Sequence, residues 1–307
     1  MSDAMKGPVR NRVNRAMKRP MNDTPKGLPE SPAKAMAPID VPADNSPEDD
    51  RSGWRTAWAS VTGTAHTAHG NSGDDACGCI VFTDATGSEV AVAVAADGAG
   101  SARFAARGAA TAIQATLALI GYQTARQTGT AWFGPETAKL LVAAVASAIH
   151  DRAEAEGEGT PADYATTLVA VIAGEDGVSA VQCGDGLAIA SAAGQGPVCI
   201  IAPQAKEYAN ETAFVTDCSP ILRCGRIEGR ITACAVTTDG LEAMIVDRAS
   251  GAVHAPSIQG ILTWVAELEP WQGGPSAEIN EWLRSGPVTD RTDDDVTLAI
   301  VARSDHE

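Results

Sequence analysis

The pattern of apolar and polar positions changes character at Trp54. Before it, no apolar face recurs at helical or strand spacing. After it, Thr56–Thr64 and Cys77–Thr83 read as strands, and Glu89–Ala95 is an apolar run leading into Asp97-Gly98. Ala102–Tyr122 predicts a long Ala-rich helix without proline. Pro135–Glu156 predicts a second, opened by a proline in its first turn and stopped at Gly157 and Gly159. Short strands follow at Thr166–Ala173, Val178–Cys183, Leu187–Ala192, Val198–Ile201, Ala213–Thr216 and Ile231–Thr237. Turn sequences such as Glu175-Asp176-Gly177 and Gly194-Gln195-Gly196-Pro197 separate them. Helices are expected again at Leu241–Arg248, Ser257–Leu268 and Ser276–Arg284, and Val296–Ala302 closes as a strand. Strands cluster at hairpin-length gaps and helices come in pairs. That order predicts an α+β fold, with helices covering mainly antiparallel sheets, and not a doubly wound parallel one.

The segment ahead of Trp54 is a different material. Lys6, Arg10, Arg12, Arg15, Lys18 and Arg19 make its first part basic, and its second part is proline-rich. Too little apolar surface is present to offset the entropy of ordering, so residues 1–53 are expected to be a disordered tail and 54–307 one folded domain. Residues 1–50 hold 8 basic and 8 acidic side chains, which cancel, so the net charge of −16 resides on 51–307. Such a body repels nucleic-acid backbones. No run of 18 apolar residues predicts a membrane span, and the basic N-terminus lacks the apolar core of a secretory signal, so a cytoplasmic location is expected. Aromatic residues are only 4% of the chain, so the core is built from small aliphatics. The seven cysteines lack paired C-x-x-C spacing and read as reduced.

Acidic residues recur at strand ends. Three apolar strands run into Asp-Gly, at Asp97-Gly98, Asp185-Gly186 and Asp239-Gly240. Asp74-Asp75 and Asp293-Asp294-Asp295 lie just ahead of two others. Any one Asp-Gly is an ordinary turn former, with the glycine supplying backbone freedom. Five acidic rims in one chain suggest more, because converging unpaired carboxylates need cations to offset their repulsion. Oxygen donors without a histidine or cysteine cluster select Mg²⁺, Mn²⁺ or Ca²⁺, and no EF-hand loop favours calcium. Two such ions bridged by a water supply a nucleophile and a clamp for a phosphoryl group. The competing nucleotide-fold reading fails because Arg103 occupies the third glycine position of Gly98-Ala99-Gly100 and Asp97 would repel a pyrophosphate. A Walker sequence and a Gly-x-Ser-x-Gly elbow are both absent.

Six segments occur in the order and spacing of the metal-dependent type 2C serine/threonine protein phosphatases. They are Asp74-Asp75-Ala76, Asp97-Gly98-Ala99-Gly100, Thr166-Thr167-Leu168, Gly184-Asp185-Gly186, Thr238-Asp239-Gly240-Leu241 and Asp293-Asp294-Asp295-Val296-Thr297. Residues Tyr208–Thr212 and Arg291–Asp295 resemble a divergent bacterial branch of that family. The resemblance implies a four-layer α-β-β-α sandwich with two Mn²⁺ or Mg²⁺ ions at one end. It also implies hydrolysis of phosphoserine or phosphothreonine by a metal-activated water. Asp97 matches the ligand shared by both metals, the Gly98 carbonyl a ligand of the second, and Asp239 and Asp294 the remaining carboxylates of the first. Asp74 matches an acid near the second metal, Asp75 its neighbour, and Asp185 the holder of a third, weaker ion. The implied partners are a phosphorylated protein and a cognate serine/threonine kinase, with neither nucleic acid nor membrane.

Two positions depart from the family pattern. Ala99 stands where many members carry a general-acid histidine, and Gly70 where an arginine grips the substrate phosphate. His69, Arg103 and Arg107 are the candidates for phosphate contact in their place. A second reading accommodates both departures: a catalytically weak or inactive phosphatase fold that binds a phosphoprotein or regulatory partner.

Overall fold

The computed structural model describes residues 53–68, 70, 72–202, 212–247, 250–269 and 272–303. The basic and proline-rich part of the tail, His69 and Tyr208–Glu211 lie outside them. Among the described residues eleven strands and seven α-helices form in chain order: β1 (Trp54–Val61), α1 (Thr64–Ala68), β2 (Ala76–Thr83), β3 (Glu89–Ala96), α2 (Ala105–Thr124), α3 (Pro135–Glu156), β4 (Leu168–Gly174), β5 (Gly177–Cys183), β6 (Leu187–Ala192), β7 (Val198–Cys199), β8 (Leu222–Glu228), β9 (Ile231–Thr237), α4 (Glu242–Ile245), α5 (Ala255–Ala266), β10 (Gly274–Pro275), α6 (Ala277–Leu283), α7 (Gly286–Thr289) and β11 (Val296–Arg303). One sheet has the order β2-β3-β4-β5-β8 and the other β10-β1-β11-β9-β6-β7. All pairings are antiparallel except the short β1–β10 contact.

Side-chain size along each strand explains how the sheets stack. In β3, Val90, Val92 and Val94 face α2 and α3, while Ala91, Ala93 and Ala95 face the other sheet. Strand β11 does the same on its side, with Leu298 and Ile300 under α5 and α6 and Ala299 and Val301 between the sheets. A strand alternates its faces at every residue, so this Val/Ala or Leu/Ala alternation sorts bulk toward the helices and small side chains toward the inter-sheet layer. Three apolar layers result, and the molecule is the expected α-β-β-α sandwich. Because both faces are covered, the strands read as continuous apolar runs instead of alternating with polar residues.

Several elements differ from the sequence expectation. Helix α2 starts at Ala105, because residues 99–104 turn first: the Ala102 amide donates to the Ala99 carbonyl and the Phe104 amide to the Asp163 carbonyl. Ala213–Thr216 is not a strand. The Val215 amide donates to the Thr166 carbonyl at 2.9 Å and the Cys183 thiol to the Ala213 carbonyl at 3.8 Å, which tie it to the body without a strand ladder. Strand β8 was not anticipated, since Arg223, Arg226, Glu228 and Gly225 break its apolar run. It lies at a sheet edge, where such residues are tolerated. The helix expected over Leu241–Arg248 is one 3₁₀ turn plus the short α4, ended where Val246 bridges Val253. Trp264 and Trp282 pack against the core under β11.

Candidate metal centre

Strand register assembles one end of the sandwich. Ala76 at the start of β2 pairs with Ala96 at the end of β3, and Leu168 at the start of β4 with Cys183 at the end of β5. In the other sheet, Thr237 at the end of β9 pairs with both Leu187 and Leu298, and Val61 pairs with Val296. The residues just beyond these ends are Asp74, Asp75, Asp97, Asp185, Asp239 and the 293–295 triplet. Antiparallel pairing thus carries every acidic rim to the same edge of the molecule.

Asp97, Asp185 and Asp239 each bring a carboxylate oxygen within 4.8 Å of the other two. Asp97 is held by its backbone: its amide donates to Thr167 Oγ1 at 2.9 Å, and its carbonyl accepts from the Thr167 amide at 2.8 Å and Thr166 Oγ1 at 2.8 Å. Both threonines are buried, which explains the Thr166-Thr167 pair as the brace for this aspartate. Asp185 accepts from Thr212 Oγ1 at 3.0 Å, and its turn is braced by the Gln182 amide on the Gly186 carbonyl. Asp294 is exposed and outside the close trio, although its charge reaches Asp97.

Asp75 turns inward. Its Oδ2 accepts from Thr238 Oγ1 at 2.8 Å and Thr297 Oγ1 at 2.7 Å, and the Thr297 hydroxyl is 2.8 Å from Ser60 Oγ. Among the described residues its Oδ1 is buried with no geometric hydrogen-bond partner, and the Asp97 carboxyl is close enough to lower its pKa as a hydrogen-bond partner. Burial is the main cause that raises the Asp75 carboxyl above the usual range, against the two hydroxyls that lower it. Asp97 is raised further, first by burial and then by the charges of Asp75, Asp239, Asp294 and Asp185. A buried oxygen without a donor, beside carboxylates that resist ionising together, is a site whose chemistry fits a hard divalent cation.

The glycines of the Asp-Gly pairs serve close approach. None of Gly98, Gly186 and Gly240 has a left-handed backbone. A Cβ on Gly98 would lie 2.6 Å from the Asp74 carbonyl oxygen, and one on Gly240 only 2.0 Å from the Asp295 carbonyl oxygen.

The candidates for phosphate contact divide. His69 lies outside the described residues. Arg103 is exposed and lies over the Phe104 ring, 4.7 Å from its centroid. Arg107 pairs with Glu156 at 2.8 Å, which draws its guanidinium toward the end of α3. Sequence reasoning passed over two groups. His66, on α1, places Nδ1 3.0 Å from Asp295 Oδ1 and Nε2 3.7 Å from Asp74 Oδ2. Its pKa is raised, first by the Asp295 hydrogen bond and then by the Asp295, Asp74 and Asp294 charges, against burial. Asp295 is 3% exposed and accepts from the Gly63 amide at 2.7 Å and the Asp74 amide at 2.6 Å. The adjoining Asp293 and Asp294 hid Asp295, and a continuous strand was expected through residue 64, where β1 gives way to α1.

A two-sheet sandwich covered by helices, with threonine-braced aspartates at one end, defines a class of protein. The family model described as Protein phosphatase 2C matches residues 62–284, well over half of the chain, and the chain belongs to that family. It is 29% identical over 250 residues to serine/threonine-protein phosphatase 3 of Escherichia coli (strain K12), covering 80% of this chain and 97% of that one. Among solved structures, a bacterial serine phosphatase superposes with a TM-score of 0.52 at 17% identity, over 82% of this chain and 98% of that one. The serine/threonine phosphatase Stp1 from Staphylococcus aureus does so with a TM-score of 0.51 at 15% identity, over 85% and 99%.

Proposed function

We propose that the chain is a Mn²⁺- or Mg²⁺-dependent phosphatase acting on phosphoserine or phosphothreonine in proteins. The convergence of Asp97, Asp185 and Asp239 at one end of a protein phosphatase 2C fold carries this reading. Asp97, the Gly98 carbonyl, Asp239 and Asp294 would hold two ions, with Asp74 or Asp75 beside the second and Asp185 toward a third. Bound there, the ions would activate a water for attack on phosphorus and neutralise phosphoryl charge.

The chain's own residues supply order. Thr166 and Thr167 fix the Asp97 backbone, and Thr238 and Thr297 fix Asp75 through one oxygen, which leaves the other facing the Asp97 carboxyl and able to accept a ligand or its water. Ala99 offers no proton to a leaving group, and its amide is engaged with the Ala165 carbonyl. General acids typically contribute about 10²–10⁴-fold, so turnover of alkyl phosphates is slower than that of aryl phosphates, whose leaving group needs no proton. The substrate is a phosphorylated protein, made by a cognate serine/threonine kinase. The domain spans residues 54–307 in the cytoplasm, and residues 1–53 are a tail outside the catalytic unit. Among the described residues no helix is long and apolar enough to cross a membrane.

Phosphate release from a phosphoserine peptide, with Mn²⁺ and with EDTA, tests this reading. Release that requires Mn²⁺ supports it. No release from folded protein that binds Mn²⁺ overturns it in favour of a phosphoprotein-binding domain, the role that Ala99 and Gly70 also fit.

A further inference from the structure

Asp295 and His66 join three chain segments behind the acidic edge. One oxygen of Asp295 accepts from the Gly63 amide at 2.7 Å and from His66 Nδ1 at 3.0 Å, and the other from the Asp74 amide at 2.6 Å. The same loop is tied again where the Gly73 amide donates to Thr62 Oγ1 at 3.0 Å. No slack is left there: a Cβ on Gly73 would lie 3.0 Å from both Asp295 Oδ2 and Thr62 Oγ1. The opposite edge of the His66 ring faces the Asp74 carboxylate, 3.7 Å from Nε2. One imidazole therefore spans a buried carboxylate and a partly exposed one, on a loop whose next residue is the inward-turned Asp75.

We propose that His66 and Asp295 are positioning residues for the acidic loop. Asp295 clamps the loop's backbone to the turn after β1, and His66, oriented by Asp295, sets the Asp74 side chain. Neither is a metal ligand in this account, which rests on the divalent-cation reading of the site. A carboxylate that fixes an imidazole, which in turn orients a metal-site acid, is the kind of outer arrangement whose loss costs about 10–100-fold in metal affinity. A purely structural brace would instead lower stability and leave the affinity of the folded protein unchanged.

The test is Mn²⁺ titration by calorimetry on wild type, His66→Ala, His66→Asn, Asp295→Asn and Asp239→Asn, with thermal unfolding to establish that each is folded. Asparagine at 66 places an amide N–H near the position of Nδ1, so it can keep the Asp295 bond. Asparagine at 295 keeps one accepting oxygen where two are used. His66→Ala, His66→Asn and Asp295→Asn are each expected to weaken Mn²⁺ binding about tenfold or more, because asparagine at 66 keeps the Asp295 bond but has no atom at the Nε2 position that faces Asp74. In hydrolysis of p-nitrophenyl phosphate, the Mn²⁺ concentration for half-activation should rise while KM at saturating Mn²⁺ stays near wild type. Wild-type affinity in folded His66→Ala and Asp295→Asn, with binding lost in Asp239→Asn, overturns the positioning role and spares the metal reading. Wild-type affinity in folded His66→Asn also overturns it, since the Asp295 bond would then suffice without the Nε2 edge that faces Asp74. No Mn²⁺ binding by the wild type overturns both.

Discussion

Asp97 lies where burial and the charges of Asp75, Asp239, Asp294 and Asp185 all oppose its ionisation, so its pKa is higher folded than unfolded. A group of that kind stabilises the folded chain below the ordinary carboxylate range, near pH 4, and that stability is lost as pH rises through the raised value. In EDTA, the melting temperature is therefore expected to fall from mildly acidic to mildly alkaline pH. Asp97→Asn removes the charge, flattens the trend and raises the alkaline melting temperature by about 2–4 °C for each kcal/mol gained. Melting curves across pH in EDTA check this, and an unchanged slope in Asp97→Asn would count against it. At this scale the sequence was informative for residue identity. Asp97, Asp185 and Asp239 were legible because each follows an apolar strand, and the structure gathers them. Burial of one member of Asp293-Asp294-Asp295 was not legible, since three identical side chains carry no signal for which one turns inward. His66 depends on a contact across 229 residues, which spacing cannot report.

Turns set the geometry between elements, and two glycines in one loop, neither with a left-handed backbone, differ in how crowded they are. Gly98 is hemmed in by the Asp74 carbonyl and by Ala105, whereas a Cβ on Gly100 would meet nothing within 4 Å. Gly98→Ala is expected to cost about 1–3 kcal/mol, as overpacking does, and to weaken Mn²⁺ binding by displacing the acidic loop from Asp97. Gly100→Ala should stay within about 0.5 kcal/mol of wild type. Denaturant unfolding of both variants, with a Mn²⁺ titration, distinguishes them; equal costs would refute the crowding explanation. Element types were legible where periodicity was strong: α3 runs over Pro135–Glu156 as its proline start and glycine stop predict, with Gly157 left-handed at φ 64°. Edge strand β8 was not, because a strand carrying Arg223, Gly225 and Arg226 gains its place from pairing with β5 and not from its own sequence.

Across the whole molecule, the alternating faces of β3, β4 and β11 divide the core into three layers. The layer between the sheets consists largely of alanine and valine, so it has little room for extra volume. Ala93→Leu, at a fully buried position there, is expected to destabilise by about 1–3 kcal/mol, measured by chemical denaturation. A neutral result would mean that the sheets are less closely packed than described. The class of fold was legible from strand clustering and paired helices. The convergence of five acidic rims was not, because it depends on register across two sheets, and ordered motif resemblance alone pointed to it. The net charge of −16 adds a molecule-wide consequence to the metal proposal, since bound divalent cations would relieve repulsion as well as occupy the acidic edge. Mn²⁺ at about 100 times its Kd should stabilise the folded chain by about 2.7 kcal/mol per site.

The most direct test of the metal-dependent phosphatase reading is hydrolysis of p-nitrophenyl phosphate by wild type and Asp239→Asn, each with Mn²⁺ and with EDTA. The aryl leaving group needs no general acid, so Ala99 does not mask activity. The account predicts turnover by the wild type that requires Mn²⁺ and falls at least about 10²-fold in folded Asp239→Asn, as loss of a group acting on the transition state does. Equal rates in EDTA, or an Asp239→Asn variant as active as wild type, would contradict it.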